Sequence, residues 1–275
     1  MVRTRFAPSP TGRLHLGHVR SAWEGWRLAR AAGGQWLMRM EDIDEGRCRP
    51  AFEAGIFEDL AWLGLDWDEP VVRQSARRDS YRDALARLRD MGLIYPCVCT
   101  RADIAAAVSA PHFGRMGPEG PLYPGTCRGR GVPEGGGLDG AAWRLDAARA
   151  AAMLGDLRFE DARAGEVLVE PGLLGDFVVA RRDAGVAYHL AVVVDDAHQQ
   201  VSDVVRGEDL LPACHGQRLL QAALGLPAVR YHHHPLLLGP DGKRLAKRDH
   251  SMTVADMRAR GLSAAEVLAA AGAAV

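Results

Sequence analysis

Pro8-Ser9-Pro10-Thr11-Gly12-Arg13-Leu14-His15-Leu16-Gly17-His18 interrupts two regular stretches, and the fold is read from what lies on either side. The two prolines and Gly12 break the chain. Before them, residues 2–7 read as a short buried strand. After them, Val19, Ala22, Trp23 and Trp26 recur at i, i+3, i+4 and i+7, the apolar face of a helix that Gly33-Gly34 ends. Residues 35–40 read as a second strand, followed at once by the acidic group Glu41, Asp42 and Asp44. Two further helices are expected, 51–63 stopped by Gly64 and 80–91 stopped by Gly92. Tyr81, Ala84, Leu85 and Leu88 form the face of the second. Strand, helix, strand and helix at this spacing predict an α/β fold on a parallel sheet. Two histidines flanking Leu-Gly at a helix start point to nucleotide chemistry. A helix N-terminus offers backbone N–H groups and positive dipole to phosphates. Gly17 permits close approach, and His15 and His18 can donate to phosphate oxygens as charge develops.

Farther along, the texture changes after Tyr95-Pro96. Residues 110–137 are rich in Gly and Pro without periodicity, the mark of an insertion, and regular structure returns near Trp143. Residues 187–196 are ambiguous: Val192-Val193-Val194 favours strand, whereas Tyr188, Ala191 and Asp195 also fit a helical face. A strand over 201–206, a helix over 212–224 and a strand over 231–238 are expected. A loop over 239–251 and an Ala-rich helical tail follow.

The chain has 275 residues, 34 Lys+Arg against 35 Asp+Glu, and a net charge of −1, which excludes a strongly basic nucleic-acid binder but not a local basic face. Its hydrophobic share of 48% argues against disorder. No signal peptide or membrane-spanning apolar stretch is read, so a cytoplasmic protein with reduced thiols is expected. Only two lysines occur, Lys243 and Lys247, both in Asp241-Gly242-Lys243-Arg244-Leu245-Ala246-Lys247-Arg248. A chain that uses arginine for nearly every cation and keeps lysine in one loop suggests that the lysines serve there as mobile point charges on phosphates. A solvated charged turn is the plainer reading of such a run.

Together these two segments resemble the paired nucleotide signatures of class I aminoacyl-tRNA synthetases. His15-Leu16-Gly17-His18 matches the HIGH motif, and Arg244 to Arg248 resembles the KMSKS motif with Lys247 as its second lysine. Arg244 and Ala246 depart from that pattern; the serine hydroxyl is absent, and Lys243 could partly replace the first lysine, which implies an altered rate. The resemblance narrows to the glutamyl subgroup through Arg5-Phe6-Ala7-Pro8-Ser9, Arg39-Met40-Glu41-Asp42-Ile43-Asp44, Tyr188 with Asp195-Asp196, and Arg206-Gly207-Glu208-Asp209. It implies a glutamate site in which Arg5 and Arg206 fork to carboxylates, Glu41 takes the ammonium, and Tyr188 and Ser9 add hydrogen bonds beside Phe6, Ala7 and Pro8. It implies ATP, accompanied by Mg²⁺, over His15, Gly17, His18, Lys243 and Lys247, with His15, His18 and Lys247 catalytic.

Of five cysteines, Cys97-x-Cys99 with a distant Cys127 suits tetrahedral zinc, although buried free thiols are an alternative. The spacing with Tyr123 resembles the zinc site of the glutamyl-Q tRNA(Asp) synthetases, which implies one structural Zn²⁺ on Cys97, Cys99, Tyr123 and Cys127. His112 rivals Tyr123 as fourth ligand. Cys48 and Cys214 read as structural. The run His232-His233-His234 has no thiol or acid near it in sequence, so a metal there is disfavoured.

The chain ends soon after Lys247, without the helical anticodon-binding half of full glutamyl-tRNA synthetases, so it resembles the short glutamyl-Q relatives. That resemblance implies a Rossmann-type catalytic domain over 1–95 and 185–238, split by a zinc-containing, RNA-contacting insertion over 96–184. A KMSKS-like loop and short helical tail occupy 239–275. It implies activation of L-glutamate by ATP and transfer to the queuosine base in the anticodon loop of tRNA(Asp), with Arg101, Arg128 and Arg130 on the phosphate backbone. A monomer is favoured. The rivals are a truncated glutamyl-tRNA synthetase charging the 3′ end, a small-molecule nucleotidylyltransferase, and a non-catalytic tRNA-binding paralogue.

Overall fold

The computed structural model describes residues 1–108, 115–129, 141–182, 185–237 and 252–273. In chain order the elements are β1 (Arg3–Phe6), α1 (Leu16–Ala31), β2 (Gln35–Met40), α2 (Pro50–Trp62), β3 (Val72–Arg73), α3 (Arg78–Asp90), β4 (Ile94–Cys97) and α4 (Arg101–Val108). Next come β5 (Met116–Gly117), β6 (Gly120–Pro121), β7 (Ala142–Leu145), α5 (Ala147–Leu154), β8 (Arg158–Asp161), β9 (Gly165–Leu168) and β10 (Val178–Ala180). The chain continues through α6 (Tyr188–His198), β11 (Asp203–Gly207), α7 (Ala213–Ala223), β12 (Arg230–His234), α8 (Val254–Ala259) and α9 (Ala264–Ala270).

β1, β2 and β3 pair in parallel, as do β11, β12 and β8, with β9 antiparallel at the far edge. The two groups meet where Ser202 N–H donates to the Arg3 carbonyl at 3.0 Å and Arg3 N–H donates to Ser202 Oγ at 2.9 Å. Along β2 the period-2 alternation of a strand divides the core. Trp36, Met38 and Met40 pack with α1, α2 and the tail helices, while Leu37 faces the cluster under α3, α6 and α7. A strand covered on both faces reads as a continuous apolar run, and positions 36–40 are fully buried, Arg39 included.

Residues 188–196 are helix, with Ala187 its extended N-cap, and the valine run is part of α6. This helix is buried almost all round, with His189, Leu190, Ala191, Val192, Val193, Asp195 and Asp196 all inside. Such burial overrides the modest β preference of valine. β12 stops at His234 because Pro235 has no N–H to continue the ladder. Within the segment expected as an insertion, β4, β7 and β10 form a separate antiparallel sheet, whereas β8 joins β12 in parallel and so lengthens the main sheet. The loop 239–251, with Lys243, Arg244, Ala246 and Lys247, lies outside the described residues, as do His112 and Arg130.

Candidate active site

The carboxyl ends of β1, β2, β11 and β12 converge with the N-terminus of α1 on a cavity of about 700 Å³, the place where open α/β sheets bind ligands. Glu41 N–H donates to the Pro8 carbonyl at 3.0 Å and so ties the segment after β1 to the end of β2. Arg5 through Ser9, His15, Gly17, His18, Glu41, Tyr188 and Arg206 all line this one space.

His15 is the N-cap of α1. Its Nδ1 accepts from Gly17 N–H at 3.1 Å, while His18 Nδ1 accepts from His15 N–H at 3.3 Å, a capping box made by two imidazoles. An acceptor at Nδ1 leaves the ring proton on Nε2 in both. The rings stack at 3.7 Å between centroids, and a Cβ on Gly17 would come within 3.0 Å of the His15 ring. Glycine there is what lets the imidazole fold back over the helix start.

Beneath the cavity floor lies a buried ion network. Arg5 Nε donates to Asp196 Oδ1 at 3.1 Å, and Arg39 Nη1 donates to the same oxygen at 2.7 Å and to Gln199 Oε1 at 3.0 Å. Asp195 accepts from Gln74, Arg77 and Tyr81 at 2.7–2.8 Å. Despite burial, the arginines hold the Asp196 carboxyl below the usual carboxylate range. Glu41, 3.6 Å from Arg39 Nη2, behaves differently: burial pushes its carboxyl up to about 7 against the pull of Arg39 and Arg5. Arg206 Nε donates to His233 Nε2 at 3.2 Å, its Nη2 donates to Leu210 O at 3.1 Å, and its Nη1 is buried without a partner among the described residues. Tyr188, at the start of α6, lines both this cavity and, with Asp209 and Leu210, a second of about 1010 Å³ whose wall includes Arg101, Tyr123, Arg144, Arg181 and His189.

The cysteines converge away from this floor. The sulfurs of Cys97, Cys99 and Cys127 lie within 4.8 Å of one another, with Cys99 and Cys127 3.6 Å apart. The Tyr123 hydroxyl is 3.4 Å from both Cys97 and Cys99. Tetrahedral zinc–thiolate bonds of about 2.3 Å put sulfurs about 3.8 Å apart, so the donor set fits zinc. Arg144 donates Nε to Cys97 Sγ at 3.3 Å and lies over the Tyr123 ring at 3.9 Å, a cation beside prospective thiolates. Although burial opposes it, hydrogen bonds from Tyr123 and the Val98 N–H bring the Cys127 thiol down to about 7.

The family of class I tRNA synthetases (E and Q), catalytic domain, matches residues 1–270. The glutamyl-Q tRNA(Asp) synthetase of Rhodobacter capsulatus is 49% identical over 96% of this chain and 97% of its own length. That of Symbiobacterium thermophilum is 49% identical over 96% and 83%. The chain belongs to the glutamyl-Q tRNA(Asp) synthetase family. It is therefore a ligase with a class I catalytic domain. Among solved structures, the glutamate–tRNA synthetase of Elizabethkingia anophelis superposes with a TM-score of 0.75 at 29% identity. That match covers 95% of this chain and 54% of the other, so this chain spans about half the length of that enzyme.

Sequence reasoning left several of these groups without a role. Arg39 and Asp195-Asp196 were visible only as family motif, because nothing local says that an arginine inside an apolar strand is buried and paired. Asp161 lies 72 residues from His233 and His233 27 from Arg206, and only the parallel pairing of β8, β12 and β11 brings them together, while Cys214 reaches Arg206 from α7.

Proposed function

We propose that this enzyme condenses L-glutamate with ATP to glutamyl-adenylate and passes the glutamyl group to the queuosine base in the anticodon of tRNA(Asp). One observation carries the reading: two guanidinium groups, Arg5 and Arg206, and one carboxylate, Glu41, share a cavity with a helix start bearing His15, Gly17 and His18. Glutamate offers two carboxylates and one ammonium, the complement of that set. Arg5 and Arg206 hold the carboxylates, Glu41 the ammonium, and Tyr188 and Ser9 supply hydrogen bonds above the wall made by Phe6, Ala7 and Pro8.

ATP lies over the start of α1, with the Nε2–H groups of His15 and His18 on its phosphates and Lys243 and Lys247 adding further positive charge. A glutamate carboxylate oxygen attacks the α-phosphorus in line, and the bond to pyrophosphate breaks. The donors are worth most where charge builds on the departing phosphate oxygens, and holding both substrates in one cavity removes much of the entropic barrier. An acceptor hydroxyl then attacks the glutamyl carbonyl and AMP leaves. The second cavity, across Tyr188, is where a splayed nucleoside would enter. Mg²⁺ accompanies ATP, and one zinc held by Cys97, Cys99, Tyr123 and Cys127 staples the segment around β4 to β6.

The test is transfer of radiolabelled glutamate, with ATP, to tRNA(Asp) that has or lacks queuosine. Label on the queuosine form alone, stable to removal of the 3′ end, is expected. Label that needs the 3′ end transfers the reading to ordinary tRNA charging. No glutamate-dependent ATP chemistry rejects both.

A further inference from the structure

We propose that Asp161, His233 and Cys214 form a positioning array that fixes the plane of the Arg206 guanidinium and so sets the affinity of the cavity for a substrate carboxylate. The proposal rests on the glutamate reading of Arg206. Arg206 on β11 and His233 on β12 are register partners in the parallel ladder, so their side chains leave the sheet on one face. Arg206 Nε donates to His233 Nε2 at 3.2 Å, and its Nη2 donates to the Leu210 carbonyl at 3.1 Å and to Cys214 Sγ at 2.9 Å. Two of the three guanidinium nitrogens are thereby anchored. Only Nη1 has no partner among the described residues, on an arginine that lines the cavity. The planar fork is directional, so anchoring two corners aims the third.

The imidazole can accept from Arg206 only while Nε2 carries no proton. Its single proton must then sit on Nδ1, which donates to Asp161 Oδ2 at 2.6 Å. Asp161 is itself fixed, because its Oδ1 accepts the backbone N–H groups of Arg163 and Ala164 at 2.9 and 2.8 Å. The side chains of His233 and Asp161 are 1% and 0% exposed, so solvent does not reorient them. Burial and the neighbouring guanidinium both hold the imidazole below its ordinary pKa, which keeps Nε2 an acceptor. Tyr231 packs its ring against both, 5.0 Å from the guanidinium carbon and 5.8 Å from the imidazole centroid. The array thus runs from β8 through β12 to β11, and it gives a role to His233 and Cys214.

A merely structural histidine would change folding or both substrates alike; an aiming array acts on one substrate. Glutamate-dependent pyrophosphate exchange by the full chain should show His233→Ala raising the glutamate KM about tenfold or more, with the ATP KM within about twofold. His233→Gln, whose amide oxygen can accept from Arg206 Nε, should recover most of that loss. An unchanged glutamate KM in His233→Ala, or equal rises in both KM values, overturns the array. A second readout needs no substrate: nitrogen-15 NMR of the His233 imidazole should show the proton on Nδ1 at neutral pH. A proton on Nε2 overturns the array whatever the kinetics. If the wild-type chain exchanges nothing with glutamate while His233 carries its proton on Nδ1, the glutamate reading falls and the array stands.

Discussion

Glu41 and Asp59 are carboxyls that burial holds in the range where proteins are studied, and each gives a pH dependence of definite sign. With its carboxyl near 7, Glu41 is mostly protonated below that pH and offers an ammonium no negative partner. An arriving ammonium favours the carboxylate, so glutamate binding without ATP should tighten as pH rises from about 6 to about 8 and then level off. Calorimetric titration across that window checks it. Glu41→Gln should bind glutamate about tenfold or more weakly and lose the slope; a variant that keeps the slope assigns it to another group. Asp59, inside α2, has no described partner for either oxygen, and burial lifts its carboxyl to about 6 although Arg13 and Arg258 pull it down. The folded protein then keeps a proton that the unfolded chain releases near pH 4, so stability falls between about pH 4 and pH 6 and stays lower above. Asp59→Asn removes the cost of ionisation. Thermal melting should show it more stable than wild type by about 1–2 kcal/mol at pH 7.5 and not at pH 4. Neither shift could be read from sequence: the family motif marks Glu41 as a site residue but not its burial, and Asp59 looks like a surface acid until the packing of α2 is known.

At the scale of elements, what was legible was periodic and punctuated. The expected helices at 51–63, 80–91 and 212–224 are Pro50–Trp62, Arg78–Asp90 and Ala213–Ala223, since an apolar stripe with a glycine after it marks a helix locally. α6 stays ambiguous between strand and helix in the sequence, because a helix buried on nearly every side has no clear stripe. The pairing of β8 with β12 was not legible, being a contact across some 70 residues. The tail was read only as Ala-rich helix, yet it holds the site in place. Thr253 caps α8 in a capping box and bridges to His15, and Val254 N–H donates to the Leu14 carbonyl at 2.9 Å. Met257, 2% exposed, packs in the same cluster as Leu14 and Val19. Met257→Ala should therefore cost about 2–5 kcal/mol in denaturant unfolding and raise the ATP KM through the shifted His15, and an unchanged ATP KM would separate tail from site. The cysteine cluster is a second local fastening, packed with Tyr95 and Ile104 apart from the two larger cores. Elemental analysis of tag-free protein should find about one zinc per chain. Cys99→Ser should lose it and open residues around β4 to β6 to protease while the melting of the main sheet changes little. Zinc-free protein with the same protease pattern would reject the metal.

For the whole molecule, the placement of cations bears on how the proposed RNA substrate would be held. Folded compactly, these 275 residues have a radius of gyration of about 19 Å by length scaling. The glutamate–tRNA synthetase it superposes on has nearly as much chain again, since the match covers 54% of it. On the proposed reading, recognition and chemistry occur in one place, and the two cavities that share Tyr188, Asp209 and Leu210 are neighbours. The cations beside them are not equivalent. Arg128 is committed to Asp176, Nη2 to Oδ2 at 2.6 Å, and so serves the fold rather than a phosphate. Arg101, exposed on the first turn of α4, shares the lining of the second cavity with Arg181 and Arg182, and on the proposed reading it would meet a phosphate backbone. Binding of an anticodon stem-loop should weaken as salt rises, because each phosphate contact releases counterions. Arg101→Ala should lower that salt slope by about one contact's worth, whereas Arg128→Ala should lower stability and leave the slope unchanged. The stem-loop of tRNA(Asp) alone, carrying queuosine, should accept glutamate, because single-stranded loop bases can be splayed into such a cavity. The same RNA with guanosine there should bind with the same salt slope and accept none. Glutamylation that demands an intact 3′ end would show instead that the acceptor arm occupies the second cavity, and the equal slopes would then have reported only the phosphate backbone common to both.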